Sequence, residues 1–400
     1  MLEFWSGSNE IVNSKKAMAA CLADTPFGNP GAGSELLIVH STMGHRFGDL
    51  ITTAKQKSPN ARIIGCTGCG VIGSNNFVSE KMRALAVMVV RGNADEFAIS
   101  YSDKLSFEHS YEEALYVSQS LREQNANIRS ILLIGSFLDF VADDVFAGVE
   151  KVFGRNIPIF GWTSTDNLKA IGSHQFVDNG ILDHGLLAIG FADQTLSLVT
   201  GVHHGNQCIG EPFVVTRSER NQIFEFDGKP AWSFIMNRLS LPQDLKFEDA
   251  LRVVCFGTML PEEVHDEYDN QYIQYVPIGT DPRTQSFYMP VIIKPGTILS
   301  LSQRAEEKMF QGLDQMTANL IQRTNGKKPV VVFHSDCAAR GRMSFNQILK
   351  NEIITRMQDV VCRHEEVPWL GLYGYGELAQ LGGRNCFHNQ TTSLFAFIRT

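Results

Sequence analysis

ELLIVHST (residues 35–42), FGDLITTAKQKSPN (47–60), ARIIGCTGCG (61–70) and RALAVMVV (83–90) read in order as strand, amphipathic helix, strand and further strand. The same order returns in ILLIGSF (131–137), DDVFAGVEKVFGRN (143–156), IPIFGWTSTDN (157–167) and HGLLAIGF (184–191). Ile38 matches Ile134 and Gly65 matches Gly161, both 96 residues apart (134 − 38; 161 − 65). A fixed offset across two landmarks marks one structural unit used twice. A third copy is visible in VVVFHS (330–335), a helix-like stretch over about 344–358, VPWLGLYGYG (367–376) and SLFAFI (393–398). Continuous apolar runs suit strands buried on both faces of a sheet. Val145, Val149, Val152 and Phe153 follow helical spacing. The fold class is therefore mixed α/β, with repeated strand-helix-strand-strand units forming sheets covered by helices.

The middle of the chain differs. Phe224 and Phe226 alternate with polar residues, and Asp227-Gly228 is a hairpin signal. A Pro-started helix is expected near Pro230, short strands from Val253 to Ile293, and a helix over about Gln303–Gln322. The main boundary falls near Ala192–Gly201, dividing the chain into domains 1–200 and 201–400.

Composition narrows the partners. A net charge of −8 without a polybasic run argues against nucleic acid and anionic membrane surfaces. The N-terminus carries no basic segment leading into an apolar stretch, so no signal peptide is expected. No apolar run approaches the ~20 residues of a membrane span. The expected location is cytoplasmic, where the eight cysteines stay reduced and act as small apolar residues.

Each chemical motif has a plain structural alternative. GCGVIG (68–73) matches the dinucleotide pattern G-x-G-x-x-G, but a loop and strand follow it instead of a helix. Gly70 and Gly73 read better as a tight turn needing positive φ. Cys66 and Cys69 form a CxxC without a helix to lower a thiol pKa or a second close pair to complete a zinc site. Ser164 in GWTSTDN has no local base. His203-His204 reads as a solvated loop, and the HEEV beginning at His364 lacks the second histidine of a zinc protease. The C-terminal segments carry more. Asp336, Cys337, Arg340 and Gly341 fall at the carboxyl end of a buried-type strand, as do Tyr373, Tyr375 and Glu377 among glycines. Ligands bind beyond such strand ends in α/β sheets. Arg340 and Glu377 either pair for structure alone or form part of a site.

These segments resemble the FIST family, the F-box and intracellular signal transduction proteins. Asp336, Cys337, Arg340 and Gly341 match its DC-x-x-RG signature. Gly371, Tyr373, Gly374, Gly376 and Glu377 match G-x-Y-G-x-GE, and His388, Asn389 and Thr391 match HN-x-T. VTRSERNQIFEFDGKPAW (215–232) looks like the opening of the family's C-terminal domain, and GCTGCGVIG (65–73) like the glycine-rich turn of its N-terminal domain. The resemblance implies a non-enzymatic sensor of a small ligand, acting through a separate histidine kinase or cyclic-di-GMP enzyme. It also implies one of two ligand chemistries. The first is nitric oxide on a non-covalent haem, as in stand-alone bacterial members, with an axial ligand among His40, His334 and His388; His40 and His334 end the first strands of copies one and three. The second is a haem-free site for an amino acid or similar metabolite, in which Arg340 holds a carboxylate, Glu377 meets an ammonium group, and Tyr373 or Tyr375 closes the site. Candidate ligand-binding residues are Cys66, Thr67, Trp162, Thr163, Ser164, Asp336, Cys337, Arg340, Tyr373, Tyr375, Glu377 and Asn389. A third reading is an enzyme whose nucleophile hides among Cys66, Thr67, Ser164, Cys337 and Glu377.

Overall fold

The computed structural model describes residues 1–26, 34–250, 252–265, 268, 271–363 and 365–400; His364 and its HEEV motif thus lie partly outside the described residues. The three copies are present and share one plan: strand, helix, strand, helix, strand, hairpin, strand. The first runs from Glu3–Asn9 to Leu85–Gly92 and the second from Phe97–Ser102 to Leu186–Phe191. The third opens with Leu196–His203 and closes with Thr392–Arg399. Its first strand and first helix are separated by residues 206–304, whose described residues form an eight-stranded sheet, antiparallel in every pairing among them, with the helix Ala231–Arg238. Pro230 caps that helix, and Asp227 and Gly228 make the expected hairpin turn at φ +48° and +73°. The helix expected over 303–322 is Glu306–Arg323, because Ile298–Arg304 continues as a strand.

Each copy centres on a parallel pair in matching register. Val39 faces Gly65, Leu133 faces Gly161, and His334 faces Gly371. The 96-residue offset therefore holds for Gly65 and Gly161 but not for Ile38, whose register equivalent is Leu132, 94 residues on (132 − 38), because the second copy's connection is two residues longer (161 − 133 = 28 against 65 − 39 = 26). This register separates the two histidines that seemed alike: His40 is equivalent to Ser335, one residue beyond His334. Because side chains alternate between faces, His40 and His334 point to opposite sides of their sheets.

The hairpins exchange in a ring. Three sheets have six strands each, four from one copy and a hairpin from another. The hairpin Gln175–Val177/Gly180–Leu182 of the second copy completes the first copy's sheet. Glu377–Leu381/Arg384–His388 of the third completes the second's. Gly70–Gly73/Val78–Ser79 of the first completes the third's. The three inner faces meet in one core, with Ile38, Ile64 and Met88 from the first sheet, Leu132, Phe160 and Ile189 from the second, and Phe333, Leu370 and Phe395 from the third. Two helices cover each outer face, for example Ser14–Cys21 and Phe47–Lys57 over Leu37, Val39 and Ile63. The molecule is a three-sided prism of sheets around a pseudo-threefold axis.

Gly70 and Gly73 correct the turn reading. They lie in a strand without positive φ; the left-handed residues are Asn75 and Asn76 in the hairpin turn that follows. The reason for glycine is close approach, since a Cβ on Gly70 would come within 2.5 Å of Glu80 Cγ and one on Gly73 would overlap Ser8. His203 and His204 are also not a solvated loop. Both are buried, with Nε2 of each bonded to the backbone oxygens of Met309 and Tyr272 respectively.

Candidate functional site

The carboxyl ends of the three parallel pairs converge. Thr165 N–H donates to Thr67 O at 3.0 Å, and the equivalent Cys69 N–H donates to Tyr373 O at 2.9 Å. Thr163 N–H donates to Gly376 O at 2.9 Å. This end of the prism gathers buried Cys66, Thr67, Trp162, Thr163, Ser164, Asp336, Cys337, Tyr373, Glu377 and Asn389 together with Arg340; Tyr375, partly buried, joins them against Phe137 at 4.5 Å between ring centroids. The expected residues thus share one end of the molecule but not one face. Cys66, Trp162, Cys337 and Glu377 follow the inward alternation, whereas Thr67, Thr163, Asp336 and Tyr373 follow the outward one.

Asp336 and Arg340 form the charged heart. Arg340 Nε donates to Asp336 Oδ1 at 2.8 Å, and Nη1 donates to His204 O at 3.1 Å. Arg340 Nη2 is buried with no hydrogen-bond partner. Arg340 therefore pairs with Asp336, and its direct structural partner is not Glu377. Glu377 lies close enough to feel both. Burial and then the Asp336 charge hold its carboxyl well above the usual range, against the Thr391 N–H, Arg340 and the Cys337 thiol. With Asp336 taking the direct bond to Arg340, these influences favour the protonated form of Glu377.

This arrangement fixes a pH dependence. A carboxyl whose folded pKa is raised stabilises the folded state below its unfolded value and loses that contribution as pH rises toward the folded value. The contribution of Glu377 should thus fall as pH rises above about 4.5, the ordinary glutamate value, while buried His40, His45 and His388, held at about 4, act in the opposite sense up to 6.5. Urea unfolding across pH should therefore show Glu377→Gln gaining on wild type as pH rises, and more stable than it at pH 7. A difference between the two that stays constant with pH would count against the protonated Glu377.

The thiols are inert. Burial pushes Cys66 up to about 12, with Trp162 opposing, and Cys69 likewise to about 12. The CxxC is not a pair: Cys66 packs in the axial core, while Cys69 packs in a different cluster and donates to Asp166 O at 3.0 Å. Ser164 Oγ donates to Gly135 O at 3.2 Å and contacts Ser173. Among the described residues no group of three or more His, Cys, Asp or Glu is placed to hold a metal ion.

The three histidines meet the needs of a haem unequally. An axial ligand needs an unengaged ring nitrogen beside an apolar slot. His334 has both nitrogens engaged, by Thr392 at 2.9 Å and Trp369 at 3.4 Å. His40 stands edge-on to Trp162 with centroids 4.7 Å apart, too close for a macrocycle between them. His388 has both ring nitrogens unpartnered but is fully buried, with the Tyr268 ring 6.4 Å away between centroids. Neither of two open clefts, of about 1030 and 390 Å³, is lined by any of the three.

The larger cleft adjoins the polar end. One wall, Lys169–Ile171, follows Asp166, whose carboxylate accepts the N–H groups of Lys169, Ala170 and Ile171 at 2.8–3.0 Å. The opposite wall includes Ile278 and Thr280, just after Val276. Asn389 ties that segment to the centre: Val276 N–H donates to its Oδ1 at 2.9 Å, and its Nδ2 donates to Tyr375 O at 2.7 Å.

Several residues escaped the sequence reading. Glu80 and Lys350 form a buried ion pair joining the first copy to the last helix, and Arg342 N–H also donates to Glu80. A lone acid in a loop gives no sequence signal for this. Ser335 and Ser393 were detectable, as hydroxyls inside otherwise apolar runs demand partners.

Two family models match the chain: the FIST N domain over residues 35–229 and the FIST C domain over residues 236–380. An uncharacterized protein of Mycobacterium bovis is 23% identical over 226 residues, 54% of this chain; the match spans about half (55%) of that relative's length. One from Mycobacterium tuberculosis is 21% identical over 360 residues, 88% of this chain and 87% of its own. One from Methanocaldococcus jannaschii is 22% identical, over 84% of this chain and 65% of its own. Among solved structures, the cyanuric acid hydrolase of A. caulinodans aligns over the whole of both chains at 8% identity and a TM-score of 0.38, too low to bear on fold or function. No helix among the described residues is long and apolar enough to cross a membrane. With both models matching in order and the polar centre built from segments of each, the chain belongs to the FIST family, whose domains are sensors in signal transduction.

Proposed function

We propose that the chain is a non-enzymatic sensor of a small zwitterion of the amino-acid class. The ligand enters by the larger cleft and is held at the polar end of the prism. The observation that carries this reading is the buried Arg340 guanidinium, whose Nη2 lacks a partner; near it, burial and the Asp336 charge hold the Glu377 carboxyl well above the usual range. An unpartnered buried donor is costly, and a carboxylate supplied by a ligand would satisfy it. The ligand's ammonium would let Glu377 ionise, since a nearby cation favours the charged carboxylate. The inert thiols and the Ser164 bond to a carbonyl favour binding over catalysis. Asn389, joining Tyr375 to the 276–280 segment, offers a route from ligand to surface. We place a histidine kinase or cyclic-di-GMP enzyme as the receiver.

The test is isothermal titration of the full chain with the common amino acids in two buffers of different ionisation enthalpy. One of them should bind with release of about one proton from Glu377. Binding without proton release would refute the role of Glu377. No binding by any of them, with a Soret band after haem addition, would overturn the reading.

A further inference from the structure

We propose that His40, Ser335 and Ser393 form the side-chain subsite of this ligand, selecting a neutral hydrogen-bonding group, an amide or a hydroxyl. The inference rests on the amino-acid reading and adds which members of that class are taken.

The three residues share one layer of the axial core. Ser335 and Ser393 face each other across paired antiparallel strands, and both are fully buried. His40 occupies the position equivalent to Ser335 in the first copy. Around them the core is apolar, with Phe333 and Phe395 one pleat below. The Ser335 and Ser393 hydroxyls and His40 Nε2 lack hydrogen-bond partners. Three unpartnered polar atoms in one buried layer, with Trp162 Nε1 against His40 a fourth, are not packing filler, because apolar residues of similar volume would cost less there.

The protonation of His40 follows from its partner. Nδ1 lies 3.1 Å from Gly371 O. A carbonyl only accepts, so Nδ1 carries the hydrogen. Burial holds the ring neutral, with a pKa near 4, and Nε2 therefore presents a bare lone pair. The subsite offers one acceptor and two hydroxyls that can donate or accept. It offers no charge, so a charged side chain would enter uncompensated and an aliphatic one would leave all three atoms orphaned.

The spacing suits an amino acid. Cys337, whose thiol lies beside the Glu377 carboxyl, is two residues beyond Ser335 on the same strand face. Two residues of strand span about 7 Å, a gap that a small amino acid bridges from ammonium to side-chain end once a hydrogen bond is added at each end.

The experiment titrates wild type and Ser335→Ala/Ser393→Ala with glutamine, asparagine, serine, threonine, leucine, glutamate and lysine. Wild type should bind at least one amide or hydroxyl amino acid about tenfold or more tighter than leucine, glutamate and lysine. The double variant, checked as folded by thermal melting, should lose that preference while leucine binds no worse. Equal or tighter binding of leucine or glutamate by wild type overturns the subsite, even if Arg340→Ala abolishes all binding and the amino-acid reading stands. Should no amino acid bind, crystals soaked in acetamide decide. Density for acetamide within hydrogen-bond distance of His40 Nε2 and Ser335 Oγ supports the subsite, and its absence ends it.

Discussion

Arg340→Ala is expected to lower the unfolding free energy by about 3–5 kcal/mol, the usual effect of stranding one member of a buried ion pair. Arg340 and Asp336 are each 1% exposed, so little solvent screening softens the loss. Removing the guanidinium leaves Asp336 beside Glu377 with no cation bonded to it, and strips a donor from His204 O. Urea unfolding at pH 7 measures the effect. Asp336→Asn/Arg340→Met should recover much of it, because an uncharged pair of similar volume removes the stranded charge. If the single variant melts like wild type, the pair is not the structural element its geometry describes. Stability and binding then separate two roles: the double variant should fold, yet fail to bind an amino-acid carboxylate.

Gly161→Ala is expected to cost more than about 4 kcal/mol, beyond the ordinary range for a point substitution. A Cβ there would overlap the Leu133 carbonyl oxygen, and φ is +142°. That carbonyl belongs to the paired parallel strand at the centre of its sheet, so it cannot swing away without breaking the ladder. Gly154→Ala is the control. It also has positive φ, +86°, but an added Cβ meets nothing within 4 Å. Its ψ of 159° places it in a region that is essentially confined to glycine, so its cost should be the ~1–3 kcal/mol of backbone strain alone, without the overlap. Gly65→Ala should behave like Gly161→Ala, since its Cβ would overlap the Val39 carbonyl oxygen in the same register. Expression with native melting for Gly161→Ala would mean the two glycines are not equivalent parts of one repeated device.

The candidate site was legible in part for a specific reason. Asp336, Arg340 and Glu377 stand out as charges beside apolar strands, and burial makes such charges conspicuous. Their pairing was less legible, because Arg340 shares one signature with Asp336 while Glu377, in another signature, offers the same charge at a second strand end. His203-His204 next to Gly205 carries the composition of an exposed turn. It is buried because the inserted residues 206–304 and the helix beginning at Glu306 supply the acceptors Tyr272 O and Met309 O.

The sequence alone determined the repeating unit. Apolar runs, helical spacing and the match of Gly65 with Gly161 are local properties, and periodicity reports burial directly, although the match of Ile38 with Ile134 is two residues out of register. It could not determine which sheet each hairpin joins. Ladder hydrogen bonds are made by backbone groups that every residue carries. Val71 is therefore equally apolar whether it pairs in its own sheet or, as it does, with Leu372 about 300 residues away. Nor could it assign faces: in a strand buried on both sides, His40 and His334 look alike until the register sets one toward the axis and the other toward the helices. Those choices depend on three sheets closing around one core, where all contacts form together, and only the tertiary structure decides them.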